Sequence, residues 1–396
     1  MRRKVILMIS VLMLIFFSAC SDESVSQNTS VDPSNAQPPS PIPTGEFSGV
    51  EPTEPIYTEN VTLTSDGMIS ITELSTEDIR PWDDCYFSDG LCAVIDSNQK
   101  GGYINTRGEI VIPLEWDFVS NFSDGLAVVA DKNPDDPLGF AITSYIINKD
   151  GTVVHEIEHD ALATSWSSIN DGLIWVRRRE AMEFDTGFIN TSGELIMPFR
   201  IGITGFLGNG LIPAYNGTAY GFIDITGADA IPFDYEMTGE FQNGIAPVHF
   251  GHRAGRHEMG LIDTDGYLLI RWSSVSPYTG NMPRNEGLIG LRLYDVEQFT
   301  TTTSDGMWTI GFIDKTGTMI VPLDSANPQI FEFDRVGFSS GYAAVMGLGD
   351  SQRWGYIDKF GSIVVPPEYS KATAFSEDGF ALAYKVGKLY LLEIVN

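Results

Sequence analysis

A short glycine-containing pattern recurs along most of the chain and constrains its fold more than any other feature. The pattern opens with glycine, an aromatic residue and isoleucine, passes through Asp or Asn to a second glycine, and ends in an apolar run closed by proline. Its clearest copies are GYINTRGEIVIP (102–113), GFINTSGELIMP (187–198), GFIDITGADAIP (221–232), GFIDKTGTMIVP (311–322) and GYIDKFGSIVVP (355–366), with looser copies at 145–155 and 260–270. Such self-similarity predicts one small structural unit used many times over.

A second pattern, Phe-x-x-Gly followed by apolar residues, comes after each copy of the first. Four clear examples are FSDGLAVV from Phe122, FQNGIAPV from Phe241, FSSGYAAV from Phe338 and FSEDGFALA from Phe375. Asp or Asn followed by glycine predicts a tight turn, since glycine adopts positive φ without a Cβ clash, and proline suits a strand end. Each unit therefore predicts four short strands, with the Phe side chains buried as wedges within the blades, and the chain is expected to be all-β.

Four-stranded units of about 40 residues fit the blades of a β-propeller. Before the first full unit, CYFSDGLCAVID (85–96) is a second half without a first half, and after the last one GKLYLLEIV (387–395) is a first half without a second. Joining the two would complete one more blade. We therefore expect about eight four-stranded blades closed by strands from both termini. An open β-solenoid is the alternative, although it would expose both half-units as sheet edges.

The two patterns together resemble the WG-repeat family of bacterial proteins, over nearly all of the chain from about residue 80 onward. The Trp-Gly pair that gives the family its name stands only at Trp354–Gly355, and the other copies carry a different residue before the glycine. The resemblance implies a repeat architecture and frequent export. It implies no catalytic residues.

The N-terminus predicts export and lipidation. The basic MRRK precedes the apolar VILMISVLMLIFF, which is too short for the roughly 20 residues that span a bilayer but suits a signal peptide. Ser18 and Ala19 before Cys20 resemble a lipobox, so we expect a lipoprotein signal peptide over residues 1–19 and lipidation at Cys20. The alternative is an ordinary secretory signal with an incidental cysteine. Two or more acyl chains would anchor the protein to a bacterial membrane, facing outside the cytoplasm.

Composition divides the remainder of the chain. Residues 20–60 are rich in Ser, Pro and acidic groups, which predicts a disordered tether, and residues 61–396 form the predicted propeller domain. The formal net charge is -29, from 24 Lys+Arg against 53 Asp+Glu. Such a charge repels phosphates, so we expect no nucleic-acid partner.

Much of the scarce positive charge lies in four segments of variable length between units, 131–144, 177–186, 250–259 and 295–309. The residues singled out there are Arg177, Arg178, Arg179, Arg253 and Arg256, together with His252 and His257. Strand alternation places these loops on the face opposite the Asp/Asn-Gly turns, and variable loops on a rigid scaffold are where binding sites tend to lie. We expect this face to contact an anionic or peptide partner outside the membrane. Simple solvation of surface loops is the other interpretation.

The stretch HEIEH (155–159) matches the zinc-peptidase pattern H-E-x-x-H, which binds metal only on a helix. Alignment of the units puts His155 in the place of Pro113, at a strand end, where residues 155 and 159 would lie about 13 Å apart. We therefore expect no catalytic residue, metal or cofactor. The favoured function is a non-catalytic, lipid-anchored scaffold that contacts a protein, peptide or envelope polymer. An envelope hydrolase, either a propeller glycosidase or a zinc peptidase, is the alternative.

Cys85 and Cys92 flank the turn YFSDGL, and two cysteines of an exported protein can form a disulfide. Pairing Phe87 with Leu91 would put their sulfur atoms on opposite faces of a hairpin, whereas a bulge at Gly90 would align them. The sequence leaves the bond undecided.

Overall fold

A computed structural model of the protein describes residues 57–64, 67–132, 142–157, 169–180, 183–253, 256–274, 284–293, 309–323, 330–347 and 353–395. The expected signal peptide, Cys20, most of the expected tether and His159 lie outside these residues. All regular elements in the described ranges are strands, and nothing there forms a helix long and apolar enough to cross a membrane.

The strands of the first half of the chain are β1 (Tyr57–Leu63), β2 (Ile69–Glu77), β3 (Arg80–Pro81), β4 (Leu91–Ile95), β5 (Gly101–Asn105), β6 (Ile110–Trp116), β7 (Phe118–Val119), β8 (Leu126–Lys132), β9 (Ile142–Asn148), β10 (Val153–Ile157), β11 (Ile169–Asn170), β12 (Leu173–Glu180), β13 (Glu183–Asn190), β14 (Leu195–Arg200), β15 (Leu211–Tyr215) and β16 (Tyr220–Asp224). Those of the second half are β17 (Asp229–Tyr235), β18 (Met237–Thr238), β19 (Ile245–Arg253), β20 (Arg256–Asp263), β21 (Leu268–Ser274), β22 (Arg284–Asn285), β23 (Leu288–Leu293), β24 (Thr309–Asp314), β25 (Met319–Leu323), β26 (Ile330–Ser339), β27 (Tyr342–Gly347), β28 (Trp354–Asp358), β29 (Ile363–Tyr369), β30 (Lys371–Ala372), β31 (Phe380–Lys385) and β32 (Lys388–Ile394).

Across the described residues these strands pair into eight sheets, which are the blades of a β-propeller. In chain order they are blade 1 (β3–β6), blade 2 (β7–β10), blade 3 (β11–β14), blade 4 (β15–β17), blade 5 (β18–β21), blade 6 (β22–β25), blade 7 (β26–β29) and blade 8 (β30, β31, β32, β2 and β1). Blade 4 has an isolated bridge between Ile203 and Ala214 in place of the short first strand. The predicted all-β propeller of about eight blades, closed by strands from both termini, is confirmed.

Blade 8 closes the ring, with a strand pairing that differs from the expected one. Strand β32 pairs with β2 in a register that matches Ile69 with Ile394 and Leu74 with Leu389. The expectation that 387–395 would complete a blade with 85–96 is wrong. Strand β4 lies in the middle of blade 1, where β3 and β5 already occupy both of its edges. Strand β2, which lacks the glycine pattern, pairs with β32 instead.

Side chains of blade 8 pack against both neighbouring blades, which rules out the open solenoid. On one side, Leu382 and Leu389 share a buried cluster with Cys92 and Tyr103 of blade 1. On the other side, Leu392 belongs to a buried cluster with Tyr356 of blade 7. The closing blade is therefore held by its core on both faces as well as by its hydrogen-bonded strands.

The sequence unit is shifted by two strands relative to the blade. The first pattern forms the last two strands of one blade, such as β5 and β6. The second pattern forms the turn and the second strand of the next blade, such as β8, and a short first strand, such as β7, precedes it. One residue, Asp117, separates β6 from β7, and one residue, Ser370, separates β29 from β30. Because an antiparallel hairpin within one sheet needs a loop of at least two residues, the chain steps to the next blade there.

Hydrogen bonds explain why Asp, Asn and Gly recur at the turns. The Asn105 Oδ1 atom accepts from the backbone amides of Arg107 and Glu109 at 2.9 and 3.0 Å. Gly108 then closes this turn with a φ of 77°. Asp124 and Gly125, in the second pattern, have φ values of 53° and 78°, the two consecutive positive values that a type I′ hairpin turn requires.

Aromatic side chains of the two patterns meet between blades. The edge-to-face or tilted pairs are Tyr103 with Phe122 at 4.8 Å, Phe222 with Phe241 at 4.7 Å, Phe312 with Phe338 at 4.7 Å and Tyr356 with Phe375 at 5.0 Å between ring centroids. The predicted burial of these Phe side chains is confirmed. Their position is corrected, because each one contacts an aromatic ring of the preceding blade and so holds two blades together.

Candidate functional site

The hairpins β12–β13 and β19–β20 carry all seven residues predicted for the binding face. Arg177, Arg178 and Arg179 lie on β12, and the other four residues lie at the end of β19 and the start of β20. The expectation that they sit in loops between units is wrong. Register pairs Arg178 with Asp185 and Arg253 with Arg256, so these segments extend the paired strands of one blade. Blade 4 lies between the two hairpins in chain order, and the two groups belong to separate blades.

Arg177 packs onto the surface of its own blade. The centre of its guanidinium lies 4.3 Å from the centre of the Trp175 ring, a cation–π distance. Trp175 contacts Phe206 in turn, at 5.1 Å between ring centroids. Burial lowers the pKa of Arg177, but an arginine keeps its charge at any physiological pH. Arg177 therefore provides a fixed positive charge on strand β12 of blade 3.

Three histidines converge on the other hairpin. His252 and His257 approach within 3.2 Å between their Nε2 atoms, and His257 Nδ1 lies 3.1 Å from His249 Nε2. His249 is 4% exposed, whereas His252 lies at the surface. One ligand atom from each ring can be chosen so that all three lie within 4.8 Å of one another. His252 and His257 were singled out from the sequence, but His249 was missed.

The backbone of the β19–β20 hairpin brings these rings together. Register places His252 directly opposite His257. Successive side chains of a strand alternate between faces, so His249 and His252 would face opposite sides of a regular strand. A bulge between His249 and Gly251, where Gly251 has a φ of 118°, reverses this alternation. The bulge explains why a simple alternation rule overlooks His249.

Glu236 lies beside the three rings. It is the single residue between β17 and β18, and its Oε2 atom lies 3.5 Å from His249 Nδ1 and 3.6 Å from His252 Nδ1. Burial lowers the pKa of His249, although Glu236 raises it in part. Burial, followed by His252 and His249, lowers the pKa of His257. Imidazoles beside a carboxylate can relay protons or bind a transition-metal ion.

The HEIEH stretch begins on a strand, as the alignment of units predicted. His155 belongs to β10, and its Nε2 atom fills the space that a Cβ on Gly193 would take. His155 therefore packs against a turn of blade 3. The second histidine of the motif, His159, lies outside the described residues.

Cys85 and Cys92 are both buried free thiols, and their sulfur atoms lie 3.5 Å apart. The turn pairs Ser88 with Leu91, which differs from the Phe87–Leu91 pairing considered from the sequence. Burial raises the pKa of the Cys92 thiol well above its usual value. The sulfur atoms face each other as thiols, and a disulfide between them stays the alternative that the sequence left open.

Comparison with known proteins finds a similar repeat over part of the chain. The model of the WG-containing repeat matches residues 102–133, 220–250 and 354–390. No curated protein matches the sequence.

Among solved structures, a eukaryotic initiation factor is 11% identical, with 78% of each chain covered and a TM-score of 0.42. An uncharacterised protein from Listeria monocytogenes EGD-e is 11% identical, covering 78% of this chain and 95% of its own, with a TM-score of 0.41. Hydrazine synthase from Kuenenia stuttgartiensis is 12% identical, covering 89% and 99%, with a TM-score of 0.36. Likenesses at this level carry no argument about what this chain binds.

Proposed function

We propose that this chain, a WG-repeat β-propeller, is a non-catalytic binding scaffold that is anchored by lipid outside the cytoplasm. The repeats and the ring support a binding or scaffold role. The lipid anchor rests on the N-terminal sequence, where a short apolar run ends at Ser18, Ala19 and Cys20. The partner class that we propose is an anionic protein, peptide or envelope polymer.

The observation that carries the proposal is the position of arginines on two hairpins of a strongly acidic chain. Arg177, Arg178 and Arg179 lie on β12, and Arg253 pairs in register with Arg256 at the end of the β19–β20 hairpin. In a chain of 24 Lys+Arg and 53 Asp+Glu, these guanidinium groups are scarce cations that an anionic partner can pair with. A rigid ring with extended hairpins suits binding, because little conformational entropy is lost on association.

A charge-matched pair of variants tests the proposal. The first replaces Arg177, Arg178 and Arg179 with serine. The control replaces Lys149, Lys315 and Lys359, which lie exposed in the Asp/Asn-Gly turns, with serine. A photo-crosslinking residue at position 253 of the anchored protein, in intact cells, captures the partner and reports its yield. We expect the arginine variant to lower the yield about tenfold, equivalent to about 1.4 kcal/mol, and the control to leave it unchanged.

Equal losses in the two variants would show that overall charge governs capture and would contradict the proposed face. Raised salt should weaken capture by the unaltered protein, because interactions between exposed charges are screened. A Cys20→Ser variant tests the anchor separately. We expect it to leave the membrane fraction, and continued membrane association would contradict lipidation at Cys20.

A further inference from the structure

We propose that His249, His252 and His257 bind one divalent transition-metal ion, with Zn²⁺ as the first candidate, and that Glu236 orients two of the imidazoles. The proposal does not rest on an anionic partner, since the metal site needs only residues of blade 5 and the residue that leads into it.

The ligand chemistry and the spacing both suit zinc. Imidazole nitrogen is a preferred ligand of Zn²⁺, and the Zn–N distance is about 2.0–2.1 Å, so two ligand nitrogens of a tetrahedral site lie about 3.3 Å apart. The Nε2 atoms of His252 and His257 are separated by 3.2 Å, close to that value. His249 completes a set within 4.8 Å, so small rotations of the side chains would bring the third nitrogen into range.

Glu236 supplies the support that metal-bound histidines usually have. A ligating histidine commonly directs its other ring nitrogen toward a carboxylate, which fixes the orientation of the ring. His249 and His252 have their Nε2 atoms toward His257, and their Nδ1 atoms lie 3.5 and 3.6 Å from the same Glu236 oxygen. One carboxylate therefore lies behind two of the three rings.

The backbone at the site contains a β-bulge beside Gly251. Gly251 adopts a φ of 118°, which L side chains rarely take, and an added Cβ would lie 2.9 Å from Glu236 Oε1. This bulge turns His249 toward the face that carries His252. A bulge that re-aims a side chain is a common feature next to functional sites.

The cluster is accessible from solvent on one side. The side chain of His252 is 56% exposed and that of Glu236 is 53% exposed. An ion can therefore reach the site from solution, and three protein nitrogens leave a fourth position for water or for a donor atom of a ligand. The alternative is a chain of hydrogen bonds among the three rings with no affinity for metal, and the experiment separates the two.

The test titrates ZnCl₂ into the full chain, purified in detergent and stripped of metal with EDTA, with calorimetry as the readout. We expect one equivalent to bind. His257→Ala should abolish this binding, and His155→Ala is the matched control that should preserve it. Glu236→Gln should weaken binding about 10- to 100-fold, the usual effect of losing a residue that supports a ligand. Co²⁺ in place of Zn²⁺ should give the intense visible absorption of a four-coordinate ion.

Each contrary result overturns a stated part of the proposal. If the unaltered chain takes up no saturable equivalent of Zn²⁺, the hydrogen-bonded alternative holds. If His155→Ala and His257→Ala lose binding equally, the site lies elsewhere. An unchanged affinity in Glu236→Gln overturns the role of that carboxylate. Should His257→Ala fail to fold, as judged by thermal unfolding without metal, the surface variant His252→Ala takes its place with the same expected loss.

Discussion

Blades 2 and 5 have the same arrangement of strands, and a carboxylate residue leads into each of them. The groups that surround this carboxylate differ between the two blades. Asp117 and Glu236 are each the single residue that links one blade to the next. Asp117 meets a lysine, with Lys100 Nζ 3.0 Å from its Oδ1 atom, and its Oδ2 atom accepts the backbone amide of Lys132 at 2.9 Å. Glu236 instead faces His249 and His252. The first carboxylate is paired with a lysine, and the second lies beside imidazole rings that can bind metal.

The neighbouring strands account for this difference. Ala130 lies opposite Phe118 in blade 2, and His249 lies opposite Met237 at the equivalent position of blade 5. Both residues are buried. The small Ala130 side chain leaves room for Lys100 to approach Asp117. In blade 5 the imidazole of His249 occupies the space beside Glu236. The scaffold thus fixes where a carboxylate lies, and residues of the hairpin decide its chemistry.

Removing residues 387–396 is expected to destabilise the protein more than any other change, and to destabilise blades 2 and 5 equally. The deletion removes β32, which joins β2 to β31 and closes the ring. Because blade 8 packs on blades 1 and 7, we expect blades 2 and 5 to lose amide protection together in hydrogen-exchange measurements. Loss of protection confined to blade 8 would show that the ring does not act as one unit.

Phe122→Ala in blade 2 and Phe241→Ala in blade 5 should each lower the free energy of unfolding by about 3–5 kcal/mol. Both side chains are buried and each contacts a ring of the preceding blade, so the two blades should respond equally. Phe360→Ala is the control, since Phe360 is 88% exposed. Denaturant unfolding measures all three. If Phe241→Ala lowered the free energy of unfolding no more than Phe360→Ala does, the two blades would not be equivalent.

Gly251→Ala should lower the stability of blade 5 by about 1–3 kcal/mol, because alanine is strained at positive φ. It should also abolish or strongly weaken Zn²⁺ binding, since the bulge orients His249. His249→Ala, which reproduces the Ala130 of blade 2, should abolish tight Zn²⁺ binding without the backbone strain. Thermal unfolding and calorimetry measure the two effects. If Zn²⁺ binds with unchanged affinity after both substitutions, neither the bulge nor His249 contributes to the metal site.

Asp117→Asn should have the smallest effect and lower the free energy of unfolding by about 0–1 kcal/mol at pH 7. Burial raises the pKa of Asp117, but the Lys132 amide and the Lys100 ammonium outweigh it and hold the pKa below its usual value. Since the folded pKa is lower than the unfolded one, the charged form stabilises the fold above the unfolded value near 3.8. This contribution disappears as the pH falls through the folded pKa.

Denaturant unfolding at pH 7 and at acid pH should therefore show a difference between Asp117→Asn and the unaltered chain only at pH 7. Asp150→Asn, in an exposed turn, is the control and should change nothing. A difference that persists at the acid end would mean that the Asp117 side chain acts through its shape and not through its charge.

Strand content and turn chemistry were readable from the sequence because they depend on neighbours in the chain. Asn105 and Gly108 form their turn through local hydrogen bonds and a local φ, and the repeat shows that turn many times. The sequence predicted only part of the candidate site. His252 and His257 stood out as rare residues in a variable segment, but His249 joined them through a bulge that shifts register by one residue.

The sequence by itself determined a propeller of short strands joined by turns that contain glycine. Each unit repeats the same local backbone preferences and the same buried aromatic positions. Only the tertiary structure decided which strands share a blade, since a single residue between β6 and β7 sends the chain into the next sheet. It also decided that β2 closes the ring and that Glu236 lies behind two histidines. Those outcomes depend on which strand edges remain unpaired and on register across strands, which are properties of the assembled sheet and not of any one segment.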